Sequence, residues 1–310
     1  MQVLVTGGAG FIGSHLVEAL LQRGDKVHVL DNLSTGKWEY LDGLPLEWIQ
    51  GDIEDWPTVQ RAVQGCDLIF HLAALVSVPR SVAEPQLNHS VNVTGTFQIF
   101  EAARQAGLKR LVYASSAAVY GDAPVLPSTE SISPRPITPY GLAKYLNEQY
   151  AAVYNHTYGT EFIGLRYFNV YGPRQDPGSP YSGVLTLFCQ AVMTGKGVTV
   201  HGDGQQTRDF VYVMDVVSAN LAAADVPWRA GMPAVFNVGS GKQTSLQQIL
   251  EKIKLSYPLP VTYGPERAGD IRHSVAEVAL AKQWLNFVPE VALTTGLQKT
   301  VDWFGSFLKK

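Results

Sequence analysis

Val3-Leu4-Val5-Thr6-Gly7-Gly8-Ala9-Gly10-Phe11-Ile12-Gly13-Ser14 is the stretch that decides the fold. Three apolar residues run into a glycine cluster. A helical pattern follows, with Leu16, Val17, Leu20 and Leu21 on one stripe and Gly24 as its stop. Gly8, Gly10 and Gly13 satisfy G-x-G-x-x-G, and Gly7, Gly10 and Gly13 satisfy G-x-x-G-x-x-G. Without side chains the turn tightens, and backbone N–H groups can approach a pyrophosphate at the positive end of the helix. Residues 26–30 alternate as a second strand that ends on Asp31. Strand, glycine turn, helix, strand and acid, in that order, form a dinucleotide-binding unit. Asp31 can accept hydrogen bonds from a ribose diol and would repel a 2′-phosphate, which favours NAD over NADP. Lys37 is a nearby cation that weakens this choice slightly.

Further apolar runs lie at 46–50, 67–71, 110–114 and 161–166, separated by helical patterns. Such alternation builds a parallel sheet covered on both faces through right-handed crossovers. The character changes after about residue 170. Residues 171–183 are dense in glycine and proline and read as a loop. Helical patterns follow around 184–195 and 215–225, short strands at 198–201, 210–213 and 235–238, and a helix capped by Ser245 that runs to about Leu255. The expected fold class is α/β, a Rossmann doubly wound sheet with a smaller C-terminal α/β substrate lobe. The expected division is a dinucleotide domain over 1–170 and a substrate lobe over 171–310, with some later segments returning to the first sheet. In such folds ligands bind in the crevice at the carboxyl ends of the strands.

Composition narrows the function. The chain has 310 residues, 46% of them hydrophobic, enough for a sizeable core. Lys+Arg number 24 against 27 Asp+Glu, a net charge of −3, too little clustered positive charge for a nucleic-acid binder. No apolar run is long enough to span a bilayer and no basic leader precedes the first strand, so a cytoplasmic protein is expected. Cys66 and Cys189 stand in no metal or redox spacing and read as packing residues, and no metal is expected.

Two later segments carry the chemistry. The run at 110–114 leads into Ser115-Ser116-Ala117-Ala118-Val119-Tyr120, and Pro139-Tyr140-Gly141-Leu142-Ala143-Lys144 opens a helix. Tyr140 and Lys144 are four apart and share a helix face. A free phenol, with a pKa near 10, is a poor base at neutral pH. An ammonium about 4 Å away, at an effective dielectric near 20, favours the phenolate by about 4 kcal/mol, about three pKa units. The expectation is therefore a depressed Tyr140, with NAD⁺ pushing the same way and the Ser116 hydroxyl relaying a proton. Asp52, at the end of a strand, can meet an adenine amino group, and the small residues of Leu72-Ala73-Ala74 can let backbone line the cofactor.

With these motifs together the chain resembles the extended short-chain dehydrogenase/reductase family, and within it the UDP-sugar 4-epimerases of the UDP-galactose/UDP-N-acetylglucosamine type. The likeness runs from Gly7–Gly13 to residues 267–274. It implies an isomerase that holds NAD tightly, with Ser116, Tyr140 and Lys144 as the catalytic triad. The implied cofactor contacts are Gly7, Gly10, Phe11, Ile12, Gly13, Asp31 and Asn32, then Asp52, Ile53, Leu72, Ala73 and Ala74, with Tyr140 and Lys144. The implied UDP-sugar contacts are Ser77 and Arg80 beside the sugar, with Ser116 and Tyr140, and Asn169 on the diphosphate. Thr199 and His201 stand in a uracil-binding segment, Arg208 and Arg267 clamp phosphate, Asp270 meets the uridine ribose, and Ser274 stands beside the sugar 2-substituent. A small residue at Ser274 admits N-acetyl sugars. Ala117-Ala118 stand where related dehydratases carry Asp-Glu, which speaks against water elimination and, more softly, against decarboxylation. Arg80 keeps a UDP-glucuronate 4-epimerase open as the alternative, alongside other nucleotide-sugar enzymes, and an NAD-binding scaffold without activity stands further off. The family also implies a homodimer through helices at about 88–105 and 140–158.

Overall fold

A computed structural model describes residues 1–176, 183–255, 257–266 and 271–307. Chain order begins β1 (Gln2–Thr6), α1 (Phe11–Gln22), β2 (Lys26–Asp31), β3 (Glu47–Gln50), α2 (Trp56–Val63) and β4 (Leu68–His71). Then come α3 (Val78–Ala83) and α4 (Pro85–His89), a π-helical turn at Ser90–Gly95, α5 (Thr96–Gln105), β5 (Arg110–Ser116), a 3₁₀ turn at Ala117–Tyr120, and α6 (Pro139–Tyr158). The remainder is β6 (Glu161–Tyr167), β7 (Asn169–Tyr171), α7 (Val184–Thr194), β8 (Val198–His201), β9 (Thr207–Tyr212) and α8 (Val213–Asp225). It ends with β10 (Val235–Val238), β11 (Gln243–Ser245), α9 (Leu246–Lys254), β12 (Val261–Gly264), α10 (Ala279–Leu285) and α11 (Leu293–Phe307).

Seven parallel strands form one sheet in the order β10-β6-β5-β4-β1-β2-β3. The central strands β1 and β4 are buried almost throughout because both faces of the sheet are covered. Leu16, Val17 and Leu20 of α1 pack with Val216, Val217 and Ala219 of α8 on one side, and Val59, Ile99, Phe100 and Ala151 of α2, α5 and α6 pack on the other. The chain leaves β1 toward β2 and β3, then returns to place β4 on the other flank of β1. The reversal opens a crevice at the carboxyl ends of β1 and β4. The Rossmann reading of the sequence is thus what the chain adopts.

Beyond the main sheet, β11-β9-β7 and β12-β8 form two small sheets. Phe188 and Cys189 of α7, Ile249 and Leu250 of α9 and Phe304 of α11 fill a core around them. Ser245 caps α9 as expected, its hydroxyl accepting from Gln248 N while the Gln248 side chain accepts from Ser245 N. Both cysteines are buried and free. Among the described residues, no helix is long and apolar enough to cross a membrane.

Candidate active site

The glycine turn sits at the reversal point. Gly7 adopts φ +71°, and a Cβ there would lie 2.6 Å from Ala73 N. A Cβ on Gly13 would lie 2.1 Å from the Gly7 carbonyl oxygen. Both contacts are impossible for a side chain, so the glycine spacing follows from close backbone approach. Gly10 starts α1 with no side-chain cap, which leaves the first-turn N–H groups of Phe11, Ile12 and Gly13 to an outside acceptor. Asp31, buried at the end of β2, accepts from Ala9 N at 3.0 Å and Leu33 N at 2.8 Å. Burial pushes its carboxyl upward while these two donors hold it back. The acid thus fixes the glycine turn from the carboxyl end of β2, the position at which the sequence predicts a ribose contact. Asn32 donates to Asp52 at 2.7 Å, joining two predicted adenosine contacts. Ile53 is buried, packed beneath Gly95 of the π-helical turn. Leu72 N donates to Thr6 O, and Ala73 N to Thr6 Oγ1. A cradle closed to any Cβ, with an uncapped helix start and a carboxylate beside it, fits the diphosphate and ribose of NAD.

The catalytic candidates meet across β5 and α6. Thr138 caps α6 by accepting from Gly141 N, and Pro139 occupies its first turn. A Cβ on Gly141 would lie 2.5 Å from the Ala118 carbonyl oxygen, so this glycine lets the turn after Ser116 press against the helix start. The Ser116 hydroxyl faces the Tyr140 phenol closely enough to lower its pKa, and the Ser116 oxygen accepts from Ala118 N at 3.1 Å. Lys144 Nζ donates to Ala114 O at 2.9 Å and stands 5.8 Å from the centre of the Tyr140 ring.

The expected depression of Tyr140 is not found in the protein alone. Burial raises the phenol above its ordinary value, and only the Ser116 hydroxyl pulls it back. Lys144 is anchored on the β5 backbone, and burial pushes its own ammonium down to about 8. Desolvation, which a reckoning from spacing and Coulomb's law alone leaves out, wins for both groups. Next to them, burial and the facing Lys144 charge hold His71 down to about 3, so it is neutral between Thr6 Oγ1 and Thr96 Oγ1.

The sugar-side candidates divide. Ser77 caps α3 by accepting from Arg80 N, and the Arg80 guanidinium forks onto Glu84 at 2.9 and 3.2 Å. Asn169, Thr199, His201 and Arg208 line one cavity of about 470 Å³ with Phe188 and Leu246. The register brings this about: Ser116 pairs with Tyr167, Asn169 follows two residues on, and β7 pairs with β9, which carries Arg208. Thr199 turns its hydroxyl to Thr262, and His201 bonds Pro265 O. Ser274 N donates to Thr207 O, placing this small residue beside the start of β9. Arg267 and Asp270 lie outside the described residues.

Sequence reasoning passed over Asn92. Its amide clamps Leu75 at both N and O (2.8 and 2.9 Å) and bonds Asn88, fixing the loop after β4 from the π-helical turn. The extra residue in that turn left no legible signal.

Residues 3–239 match the family model described as the NAD dependent epimerase/dehydratase family. A UDP-glucose 4-epimerase of Mycolicibacterium smegmatis is 40% identical, the match covering 98% of each chain. The crystal structure of a UDP-glucose 4-epimerase from Thermotoga maritima with UDP-glucose superposes with a TM-score of 0.94 at 40% identity, covering 99% of this chain and 100% of that one. A UDP-N-acetylglucosamine 4-epimerase from Methanobrevibacter ruminantium, in complex with UDP-N-acetylmuramic acid, gives a TM-score of 0.94 at 39% identity over 99% and 98%. On its glycine cradle, its Ser–Tyr–Lys grouping and these matches, the chain belongs to the NAD dependent epimerase/dehydratase family.

Proposed function

We propose that this chain inverts C4 of a UDP-hexose, taking UDP-glucose/UDP-galactose and also UDP-N-acetylglucosamine/UDP-N-acetylgalactosamine. The observation that carries this reading is the grouping of Ser116, Tyr140 and Lys144 where the end of β5 meets the start of α6, with only methyl groups at Ala117 and Ala118 next to it. The family name spans epimerases and dehydratases. Expelling a hydroxyl as water requires a side-chain proton donor, and those two positions have none. The epimerase names of the relatives at 38–40% identity support the same choice, while one relative at 34% is named as a decarboxylase and one at 30% as a dehydratase.

The backbone of Gly7 and Gly10 to Gly13 would hold the NAD diphosphate, with Asp31 and Asn32 on the adenosine ribose, Asp52 and Ile53 at the adenine, and Leu72 to Ala74 along the nicotinamide half. When bound, NAD supplies the acceptor and donor of the C4 hydride and, oxidised, a positive charge beside the phenol. Tyr140 takes the proton of the sugar 4-hydroxyl, with Ser116 bridging, and returns it when the ketone is reduced. No net proton or redox change results. Burial raises Tyr140 in the protein alone, so its acidity is gained only as the site fills. Lys144 stays cationic below about 8 and directs its ammonium to the strand end that carries Ser116. Asn169 and Arg208 would fix the diphosphate, with Arg267 and Asp270 as further contacts and Thr199 and His201 around the uracil. The hexose can then turn about its link to the diphosphate to present its other face.

Ser274 is small and stands beside β9, which supports room for an N-acetyl group. Arg80, already forked onto Glu84, offers a glucuronate carboxylate a contested partner. A homodimer is also part of the proposal. Leu142, Tyr150 and Val153 share one exposed face of α6, and the Phe97 ring of α5 packs 5.5 Å from Tyr150.

The test is incubation of the purified protein, without added NAD, with UDP-glucose, UDP-N-acetylglucosamine and UDP-glucuronate, resolving C4 epimers. The neutral sugars should equilibrate fastest. Tyr140→Phe should abolish turnover and leave bound NAD unchanged. Wild-type rates in that variant would overturn the role of Tyr140.

A further inference from the structure

Beneath the Ser–Tyr–Lys grouping lies a buried ionic cluster that the proposed mechanism does not use. Glu148 stands four residues after Lys144 and eight after Tyr140, on the same face of α6. It is 3% exposed, and Arg166 of β6 is 4% exposed. Arg166 forks onto it, Nε to Oε1 at 2.9 Å and Nη2 to Oε2 at 2.7 Å. Ser115, the residue before Ser116, donates to Glu148 Oε1 at 2.5 Å. Arg166 Nη1 donates to Tyr120 OH at 2.8 Å, and its guanidinium lies 4.7 Å from the centre of the Tyr120 ring. Tyr120 ends the 3₁₀ turn that begins just after Ser116. Its hydroxyl donates onward to Asn237 Oδ1 at 2.7 Å, reaching β10.

The connectivity is specific. One carboxylate on the helix of Tyr140 holds the residue before Ser116. Through the fork it also holds the residue that closes the turn after Ser116. Lys144, a turn earlier, grips Ala114 of the same strand. Helix and strand end are thus joined on three points around the pair of oxygens that must exchange a proton. Stability alone does not account for the ions. The desolvation of two buried charges commonly cancels their attraction, and apolar residues of similar size often replace such a pair at no loss. A planar fork that engages carboxylate and hydroxyl partners together instead fixes direction.

We propose that Glu148 and Arg166 are positioning residues, holding Ser116 and Tyr140 at proton-transfer distance. The proposal rests on the reading of Tyr140 and Ser116 given above. It acts through those residues and touches neither sugar nor cofactor.

The test compares wild type with the paired variant Glu148→Leu/Arg166→Met, which removes both charges together, and with Arg166→Lys, which keeps the charge and loses the fork. Melting temperature, NAD retained per chain, kcat and KM are measured for each. A displacement of about 1 Å lowers rates by about 100-fold. Both variants should therefore melt near wild type and retain NAD, with kcat lower by about that factor and KM within about threefold. A folded paired variant with kcat close to wild type overturns the proposal, as does a parallel loss of NAD, kcat and melting temperature. Should the paired variant not fold, Arg166→Lys decides by the same readouts, since recovery of kcat by charge alone also overturns it. Wild-type C4 epimerisation, and its loss in Tyr140→Phe, are read in the same series. Their absence refutes the underlying activity, whereas an active wild type beside an active paired variant refutes only the positioning role.

Discussion

Lys144→Met should make the cofactor-free protein more stable at neutral pH while ending catalysis. Lys144 is 3% exposed, and burial moves its ammonium from an ordinary value of 10.5 down to about 8. At about 1.4 kcal/mol per pKa unit, keeping the charge inside the fold at pH 7 costs about 3 kcal/mol. Methionine fills a similar volume without a charge. The lost hydrogen bond to Ala114 O offsets about 1 kcal/mol of the gain, leaving the variant about 2 kcal/mol ahead. The difference has a defined pH dependence. Between about 8 and 10.5 the unfolded chain keeps the Lys144 proton while the folded chain has released it, so wild-type stability from this residue rises with pH. By about pH 9.5 the burial cost has fallen to about 1 kcal/mol, and the variant's advantage should be close to zero. Urea unfolding of both proteins at neutral and alkaline pH measures this directly. A variant less stable than wild type at pH 7, or an advantage that ignores pH, would refute the picture of a desolvated ammonium retained for function.

Two further outcomes follow from other parts of the molecule. Ser274→Tyr should suppress turnover of UDP-N-acetylglucosamine by at least about tenfold relative to UDP-glucose, because a phenol beside β9 fills the space an acetamido group needs; equal losses on both sugars would remove Ser274 from the specificity-determining position. Val153→Arg, on the exposed α6 face, should convert a dimer into single chains in light scattering, since a charge desolvated at the centre of such a face is not tolerated; an unchanged mass would place the contact elsewhere or remove it.

What the sequence makes legible differs by physical cause. The glycine turn was legible because a Cβ at Gly7 or Gly13 has nowhere to go, so sequence and geometry constrain each other locally. Tyr140 and Lys144 were legible for the same local reason, helical spacing. The direction of the Tyr140 shift was not, because burial depends on Ser81, Ser116 and the whole loop arrangement around α6, none of it close in sequence. Glu148 carried a readable signal, a third member of the four-residue series, but its partner Arg166 reads in sequence as one charge in an apolar strand. Only the register that sets Ser115 opposite Arg166 reveals the cluster. The same holds for β10, which leaves α8 to pair with β6 far back in the chain. Long-range pairing is also what collects Asn169 and Arg208 into one cavity.

The most direct test of the account follows a label at the reacting carbon. UDP-glucose and UDP-N-acetylglucosamine carrying deuterium at C4 are incubated separately with the protein, and the C4 epimers are examined by mass and NMR. If Tyr140 and Ser116 move only the hydroxyl proton while the hydride is lent and returned within the closed site, the epimer keeps its deuterium at C4. Epimer that has lost the label to solvent, or gained hydrogen from water at C4, would contradict the account.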